Sequence, residues 1–276
     1  MIQEMKESEF YRCKNLINKE GHLEVKSVIA GENPGRVFVD DLQAPSSGVI
    51  WLGSNNGFIF IGDEKNQEFK VGLNDFFTEV IKPEYLNQGF TGFEAIGNHV
   101  GWDRTFEEVF RRNLTSYKQR VYELHRDQYK KETEPAIEPG YEVKKITKEI
   151  LVSEDTSSYK NIEFLKGKIL EFWASYDRFL DDGLGYCVVF GNEIVSVCFS
   201  GVAEGSVHGV DIETLKDHQG KKLAQKAAHF YVRDCLENSI TPYWDCMEIN
   251  RASVSVAENL GFTNTFNYRW YSINFD

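Results

Sequence analysis

Two short motifs in the last third of this chain of 276 residues constrain its fold more than any other feature. The first, Gln219–Ala224, reads Gln-Gly-Lys-Lys-Leu-Ala and opens a helical stripe of apolar residues that runs to Leu236. The second begins at Asn250, a residue type favoured at helix N-caps, and ends at Gly261, a typical helix stop. A strand pattern, Tyr243–Ile249, lies between them. This order predicts an α/β unit whose first helix has N–H groups free to hold an anion.

The charge of the chain narrows the classes of function. The formal net charge is -12, whereas binding a phosphate backbone requires clustered Lys and Arg, so nucleic-acid binding is disfavoured. Hydrophobic residues make up 41%, enough for a packed core, yet no run approaches the ~18 apolar residues of a membrane span. Residues 1–10 are charged and lack an apolar signal region, so we expect a cytoplasmic protein without a membrane partner. Five cysteines without a Cys-x-x-Cys spacing predict neither a metal site nor a disulfide framework.

Similar patterns of elements recur about 150 residues apart, which predicts two tandem halves. We expect an N-terminal domain over residues 1–127, a polar linker over 128–140 and a second domain over 141–276. Each half is predicted to be a mixed, mostly antiparallel sheet flanked by helices, so the fold class is α/β (α+β). The corresponding elements are Val49–Leu52 with Gly57–Gly62 and Ile194–Phe199 with Val207–Ile212 as hairpins, Asp75–Ile81 and Gly220–Leu236 as helices, Phe93–Ile96 and Tyr243–Ile249 as strands, and Gln119–Leu124 and Tyr268–Ile273 as closing strands.

The first half differs from the second in its helix starts. Thr105 is followed three residues later by Glu108, which predicts a capping box for the helix that corresponds to the one at Asn250. Phe69–Asn74 takes the place of Gln219–Ala224, but it keeps one glycine and loses the anion-binding pattern. We therefore expect only the second half to bind a phosphorylated cofactor, while the first half is a structural or substrate-shaping partner.

The second half resembles the GNAT superfamily of N-acetyltransferases. The family pattern is Gln or Arg, two residues, Gly, one residue, then Gly or Ala. Gln219 and Ala224 match its two ends, and Lys222 stands at the position of the middle Gly. Gly220 and the two lysines still suit a pyrophosphate through exposed amides, the helix dipole and positive charge. The wider run from Tyr243 to Phe262 is similar to one subgroup, that of the zwittermicin A resistance acetyltransferase.

The resemblance implies a cosubstrate and an acceptor. Acetyl-CoA would be the donor, an amine of a small molecule would be the acceptor, and the pantetheine would lie between two splayed strands. Asp211–Glu213 would occupy the strand that pairs with the pantetheine amides, and Asn250 would contact the cofactor near the next helix. The residues expected to bind the cofactor are Asp211, Ile212, Glu213, Gln219, Gly220, Lys221, Lys222, Leu223, Ala224 and Asn250. No metal is implied.

Direct attack by an amine on a thioester requires that the amine has lost its proton. Glu213 and Asp245 are the predicted bases, although either carboxylate could instead lie in solvent or in a salt bridge. Many family members carry a Tyr seven residues after the Asn, where this chain has Ala257. Tyr186, Tyr243 or solvent remain as sources of the proton for the leaving thiolate. Cys246 is more readily explained as a small strand side chain than as a nucleophile, since no His is placed beside it by the sequence.

Two functions stay open at this point. An acetyl-CoA-dependent N-acetyltransferase is favoured by Gln219, Asn250 and the carboxylates. A non-catalytic acyl-CoA-binding module or sensor is favoured by the missing tyrosine and the missing glycine. Specificity for the acceptor is expected in residues 155–182, which are rich in aromatic side chains, and at the domain interface. The oligomeric state is left open.

Overall fold

A computed structural model describes residues 1–18, 22–52, 57–111, 114–152 and 159–275. The chain forms two compact units, of which the first combines residues 1–119 with 267–276 and the second consists of residues 120–266. This division differs from the predicted boundaries. The predicted closing strand Tyr268–Ile273 lies in the first unit, because residues 270–274 pair antiparallel with residues 92–96.

The described residues form twelve strands and nine α-helices, which are numbered here in chain order. The strands are β1 (Gln3–Met5), β2 (Arg36–Val39), β3 (Ser47–Trp51), β4 (Gly57–Gly62), β5 (Gly92–Gly97), β6 (Leu114–Glu123), β7 (Tyr141–Lys145), β8 (Gly185–Phe190), β9 (Glu193–Glu204), β10 (Val207–Thr214), β11 (Thr241–Met247) and β12 (Thr263–Asn274). The helices are α1 (Leu23–Ala30), α2 (Gln67–Asp75), α3 (Lys82–Asn87), α4 (Gly101–Val109), α5 (Lys148–Val152), α6 (Ile162–Leu170), α7 (Tyr176–Asp182), α8 (Leu223–Glu237) and α9 (Arg251–Leu260). A π-helical turn, Phe76–Ile81, joins α2 to α3.

In the first unit the strands follow the order β1-β2-β3-β4-β5-β12. β3 and β4 form the predicted hairpin, and β4 then pairs with β5 in parallel. Both faces of β4 are buried because its side chains are apolar throughout. Phe58 and Phe60 enter an aromatic core with α2 and α4, while Ile59 and Ile61 enter a second core with α1.

The second unit repeats this plan with β9, β10 and β11 in the places of β3, β4 and β5. Its strands follow the order β6-β11-β10-β9-β8-β7, in which β10 and β11 are parallel and β7 to β10 are antiparallel. One face of the sheet packs on α8 and α9 around Tyr231 and Trp244. The other face packs on α6 and α7 around Trp173 and Phe179, which are core residues of the predicted acceptor region. Residues 155–158 of that region lie outside the described residues. The two-part α/β fold class is confirmed.

Segment 128–140, predicted to be a linker, packs within the second unit. Thr133 Oγ1 donates to the Asn259 carbonyl at 2.7 Å. Glu134 accepts hydrogen bonds from Lys226 at 2.7 Å and from Arg233 at 2.6 Å. These contacts attach the segment to α8 and α9. Polar residues and prolines also occur in segments that cover helices through side-chain hydrogen bonds, and the linker boundaries stay a prediction.

Two predictions about helix starts in the first unit were wrong. α4 begins at Gly101, so Thr105 lies inside the helix, where its hydroxyl donates to the Glu64 carbonyl at 3.2 Å. Phe69–Asn74 lies within α2, whose start is capped instead by Asn66 through a 3.1 Å hydrogen bond from the Phe69 N–H. A sequence pattern identifies residue types that can cap a helix, but the surrounding turn decides which residue does so. No helix among the described residues is long and apolar enough to cross a membrane.

Candidate active site

The parallel strands β10 and β11 separate part-way along their length. They pair over Val207–Gly209 and Thr241–Tyr243, and beyond that level both strands continue, to Thr214 and Met247. Backbone groups that face the gap are therefore available to an extended ligand. The splayed strands that the family resemblance implied are present in the structure.

A β-bulge marks the level at which the strands separate. Gly209 is opposite Val202 and Val210 is opposite Ser200, so Gly201 is an extra residue in β9. A bulge increases the local twist and bends the strand pair, which explains why β10 turns away from β11 after Gly209. A Cβ atom at Gly201 would lie 3.3 Å from the Asp211 Cβ and 3.4 Å from the Phe172 ring, so glycine leaves room for both side chains.

A cavity of about 710 Å³ opens beside the C-terminal end of β10 and the loop that follows this strand. Strand β10, the turn before α8 and the first turns of α8 and α9 form its walls. Its lining residues are Ile212, Glu213, Thr214, His218, Gln219, Gly220, Lys222, Leu223, Ala224, Gln225, Asn250, Ala252, Ser253, Ser255 and Val256. Eight of the ten predicted cofactor residues are thus brought to one cavity, and the assignment of the cofactor itself stays a prediction.

The turn before α8 holds two residues in the left-handed region of the backbone. Gly220 has φ 76°, and Lys222, the N-cap residue, has φ 61° and ψ 18°. Lys222 is the position at which the sequence departs from the family pattern. Glycine adopts this conformation freely, whereas a residue with a Cβ atom adopts it at a cost of about 1–2 kcal/mol. The departure therefore keeps the shape of the turn, with local strain and one additional ammonium group.

The start of α8 is open to an anion. Lys222 makes no side-chain cap, so the N–H groups of the first turn depend on groups outside the helix. Gln219 donates from its side chain to the Thr214 carbonyl at 3.0 Å and so braces the turn. Lys221 is held elsewhere, since its ammonium donates to the Tyr141 hydroxyl at 2.7 Å and Lys221 does not line the cavity.

Asn250 caps α9 as predicted. Its Oδ1 accepts a hydrogen bond of 3.1 Å from the Ser253 N–H, and the Ser253 hydroxyl accepts another of 2.9 Å from the indole of Trp244. Trp244 lies on β11 and is buried in the core between the sheet and the helices α8 and α9. The cap therefore links the wall of the cavity to the strand behind it, and this fixes where α9 begins.

Asp211, the other predicted cofactor residue that does not line the cavity, lies on the opposite face of the strand. Val210 and Ile212 pack towards α8, so by alternation Asp211 and Glu213 face α6. Asp211 is largely buried, and its Oδ2 atom has no hydrogen-bond partner among the described residues. Burial raises the pKa of Asp211 to about 6, although the nearby Lys168 ammonium lowers it.

The two predicted bases occupy different settings. Glu213 is partly exposed, lines the cavity and accepts a 2.8 Å salt bridge from Lys168. Lys168 also contacts Glu171 at 3.0 Å. Asp245 is partly buried on β11 and does not line the cavity. Because Trp244 and Cys246 pack towards α8 and α9, Asp245 faces the same side of the sheet as Asp211.

The candidate proton donors are separated by the structure. The Tyr186 hydroxyl donates to Asp234 at 2.9 Å, in the C-terminal half of α8 and away from the cavity. Tyr243 is buried on β11, two residues before Asp245 and on the same face. Ala257 is fully buried in the core. Burial raises the pKa of the Cys246 thiol, which disfavours it as a nucleophile.

A GNAT acetyltransferase family profile matches residues 14–271. The chain belongs to the GNAT acetyltransferase family. It is therefore an acyl-transferring enzyme by family. It is 28% identical over 273 residues to YdfB of Bacillus subtilis (strain 168), an uncharacterized N-acetyltransferase, and the match covers 98% of each chain.

Two solved structures share this fold over nearly the whole chain. A GCN5-related N-acetyltransferase-like protein from Streptococcus suis 89/1591 matches with a TM-score of 0.71 at 18% identity, covering 97% of this chain and 99% of that one. A tandem GNAT protein from the clavulanic acid biosynthesis pathway matches with a TM-score of 0.60 at 10% identity, covering 99% of this chain and 98% of that one. The two-unit architecture is thus an arrangement that occurs in other GNAT proteins.

Sequence reasoning missed several residues of this GNAT site. Thr214, Gln225 and Ser255 line the cavity beside the predicted residues. Periodicity places such residues once the first residue of the helix is known. The sequence analysis began α8 at Gly220, three residues before its first helical residue, Leu223. Lys168 and Glu171 were also missed. Lys168 lies in α6 and Glu171 directly follows that helix, fewer than 40 residues before β10 begins at Val207, and no short motif connects them to the strand.

Proposed function

We propose that this GNAT protein transfers an acetyl group from acetyl-CoA to an amine of a small molecule by direct attack. The observation that carries the proposal is the 710 Å³ cavity beside the C-terminal end of β10, with the open start of α8 on its wall. Its size suits a cosubstrate of this class. The run from Tyr243 to Phe262 supports, within the family, the subgroup of the zwittermicin A resistance acetyltransferase.

The residues around the cavity fit the parts of acetyl-CoA. The exposed amides of the turn and the first turn of α8 suit the pyrophosphate, together with the ammonium of Lys222. The free edge of β10 from Val210 to Thr214 suits the pantetheine amides. Acetyl-CoA supplies a thioester, whose acyl group is activated for attack by a neutral amine.

The amine must transfer its proton to the protein. Asp211 is the best-placed base, because its Oδ2 atom is buried without a partner among the described residues and its pKa is raised towards neutrality by burial. Glu213 and Asp245, the bases predicted from sequence, stay candidates on the same face. As the C–N bond forms, the C–S bond breaks and coenzyme A leaves as the thiolate, which takes a proton from solvent or from Tyr243. A backbone N–H near the bulge would stabilise the oxyanion.

Calorimetric titration with acetyl-CoA tests the cofactor site. We expect about one site per chain for a site confined to the second unit. Gly220→Glu should raise Kd by at least about 100-fold, because a carboxylate would oppose the phosphates at the helix start. Gly205→Glu is the matched control. Gly220 and Gly205 both have positive φ and open space around the Cβ position, but Gly205 lies at the other end of β10.

Measuring the release of coenzyme A from acetyl-CoA in the presence of a panel of amines then distinguishes an acetyltransferase from a non-catalytic binding module. Thiol release that depends on the amine supports N-acetyl transfer. Tight binding without amine-dependent release would support the alternative, a non-catalytic acyl-CoA-binding module. Two equivalent sites, or equal affinity of the two glutamate variants, would reject the proposed cofactor site.

A further inference from the structure

A second cavity, of about 300 Å³, lies within the first unit. Its walls come from the end of α2, the π-helical turn that follows α2, the end of α4, and strands β5 and β12. The 710 Å³ cavity is lined by residues of the second unit instead. The smaller cavity therefore has no part in the proposed acetyl-CoA site, and its walls indicate what it can bind.

Four phenylalanines line the smaller cavity: Phe77, Phe93, Phe110 and Phe275. Phe77 and Phe93 are stacked, with ring centroids 4.1 Å apart and an interplanar angle of 11°. Phe110 stands edge-on against both of them, at 5.6 Å and 5.5 Å. Phe110 and Phe275 are only partly buried against this core, so their rings have surface left for a ligand. Aromatic rings pack well against a further ring, either offset or edge-on.

The π-helical turn shapes one wall of this cavity. The Lys82 N–H donates to the carbonyl of Phe77, five residues earlier, which is the hydrogen bond of a π-helix. Residues on one face of an α-helix are three or four apart, so Phe77 and Lys82 would diverge in a regular helix. Here both line the cavity, and the Lys82 ammonium lies 6.0 Å from the centroid of the Phe275 ring. Turns of this kind are rare and are frequent at functional sites.

The charged groups of the wall favour an anion. Arg111 lines the cavity, is exposed, and makes no ion pair with a described residue. Glu108, the acidic residue of the wall, is already bound by Lys70 at 2.8 Å and by Arg104 at 2.7 Å. The net charge of -12 on the whole chain repels anions at long range, so any preference for an anion must come from local cations. A guanidinium matches the geometry of a carboxylate.

We propose that the cavity of the first unit binds a small aromatic carboxylate, whose ring packs on the phenylalanine wall and whose carboxylate is bound by Arg111. A volume of 300 Å³ equals that of about ten water molecules in the liquid, so a ligand of about ten non-hydrogen atoms, the size of phenylacetate, fits. This site is independent of the proposed acetyl transfer, and either can fail without the other.

The test uses the full chain and ligand-observed NMR titrations with phenylacetate, its neutral isostere 2-phenylacetamide, and acetate. We expect phenylacetate to bind with a Kd of about 1 mM or lower, the amide to bind about tenfold more weakly, and acetate to show no saturable binding. Arg111→Gln should reduce the preference for the carboxylate to about twofold or less. Arg269→Gln is the control, because Arg269 is a 51% exposed arginine of the same unit that does not line the cavity.

A second variant tests the place of binding without removing a charge. Thr78 is exposed on the wall, so Thr78→Trp should fold and fill the cavity, and it should weaken phenylacetate binding by at least about tenfold. Thermal unfolding checks that the variant is folded. Equal affinity of the wild type for phenylacetate and 2-phenylacetamide would overturn the inference. Equal losses in the two arginine variants, or unchanged binding in folded Thr78→Trp, would overturn it as well.

Discussion

The two units contain the same pair of parallel strands, but the pair is closed in the first unit and open in the second. β4 and β5 pair from Gly57 to Phe60, and the Asn98 N–H then donates to the Phe60 carbonyl at 2.8 Å, so the pairing reaches the end of β5. β10 and β11 separate after Gly209. The closed pair leaves no gap for an extended ligand, whereas in the open pair the separated end of β10 borders the 710 Å³ cavity.

The side chains of the strands explain the difference. β4 is apolar on both faces, and separating it from β5 would expose side chains of two cores to water. β10 packs Val210 and Ile212 towards α8 on one face, while Asp211 and Glu213 occupy the other. The antiparallel neighbours differ as well, since the register of β3 and β4 is regular but β9 contains the bulge at Gly201. A polar face and a bulge together allow the strands to separate.

The helix starts differ in the same way. Asn66 closes the start of α2 with its own side chain, whereas Lys222 leaves the start of α8 open. In the first unit the neighbouring His99 ring lies 2.9 Å from the Gly62 carbonyl and packs near Trp102. The start of α2 is thus satisfied within the chain, whereas the start of α8 has no side-chain cap among the described residues.

The largest effect is expected from removing residues 1–137, which are most of the first unit and the first 18 residues of the second. A chain that begins at Glu138 would lose the β5 partner of residues 270–274 and the core residues Tyr122 and Leu124 of the second unit. We expect no cooperative unfolding transition, because an unpaired strand and an opened core remain. Circular dichroism during thermal unfolding measures this. A soluble fragment that binds acetyl-CoA like the full chain would show that residues 1–137 are dispensable for folding and for the cofactor site.

Asp211→Asn should reduce kcat/KM by about 10²-fold or more, since the amide keeps the shape but cannot accept the proton. Wild-type activity should rise with pH through about 6, the pKa of the buried carboxyl, and the variant should lose this rise. Matched Glu213→Gln and Asp245→Asn variants should retain it. A normal pH–rate profile for Asp211→Asn, with a changed profile for Glu213→Gln or Asp245→Asn, would restore the bases predicted from sequence.

The Asp211 carboxyl should lower the stability of the folded chain over the same pH range in which it raises activity. The pKa of Asp211 is raised above its ordinary value of 3.8, so between about pH 4 and 6 the folded chain keeps a proton that the unfolded chain has lost. The contribution of Asp211 to stability therefore falls as pH rises through this range. The free energy of unfolding of Asp211→Asn should exceed that of the wild type increasingly from pH 4 to about 6 and stay higher above it. Urea titrations at several pH values measure it.

The two asparagine caps offer a matched pair, one in each unit. Asn66→Ala and Asn250→Ala should each lower the free energy of unfolding by at least about 1 kcal/mol, because each removes a 3.1 Å hydrogen bond to a helix N–H. Asn66→Ala also removes the 2.8 Å hydrogen bond that the Asn66 side chain donates to Asp40, so its loss of stability should be the larger of the two. Only Asn250→Ala should weaken acetyl-CoA binding, since Asn250 lines the cavity. An equal loss of affinity in both variants would mean that stability, not the site, sets the affinity.

The smallest effect is expected at the strained lysine. Lys222→Gly should raise the free energy of unfolding by about 0.5–1 kcal/mol by relieving the positive φ, and it should weaken acetyl-CoA binding by removing an ammonium. Ser239→Gly is the control, because Ser239 has φ 60° at the other end of α8. It should stabilise the chain by a similar amount and leave Kd unchanged. Lower stability of Lys222→Gly would contradict the assignment of strain.

The sequence was informative where a feature depends on neighbouring residues. The hairpin of β3 and β4, the Asn250 cap and the Gly261 stop, which has φ 101°, all follow from local chemistry and are confirmed. The turn around Gly220 and Lys222 was located through the resemblance of Gln219–Ala224 to the family pattern. The Thr105 capping box failed because Thr105 is a good cap by type but is already inside a helix that begins at Gly101.

The tertiary structure decided what the sequence left open. Lys168 reaches Glu213 of β10 through the packing of α6 on the sheet, and only the fold leaves the Asp211 Oδ2 atom buried without a hydrogen-bond partner among the described residues. Residues 270–274 join the first unit because β5 offers a free edge there. Local sequence fixes turns, caps and periodicity through short-range sterics and hydrogen bonds. Burial, charge neighbours and strand partners depend on contacts between distant residues, and these exist only in the folded chain.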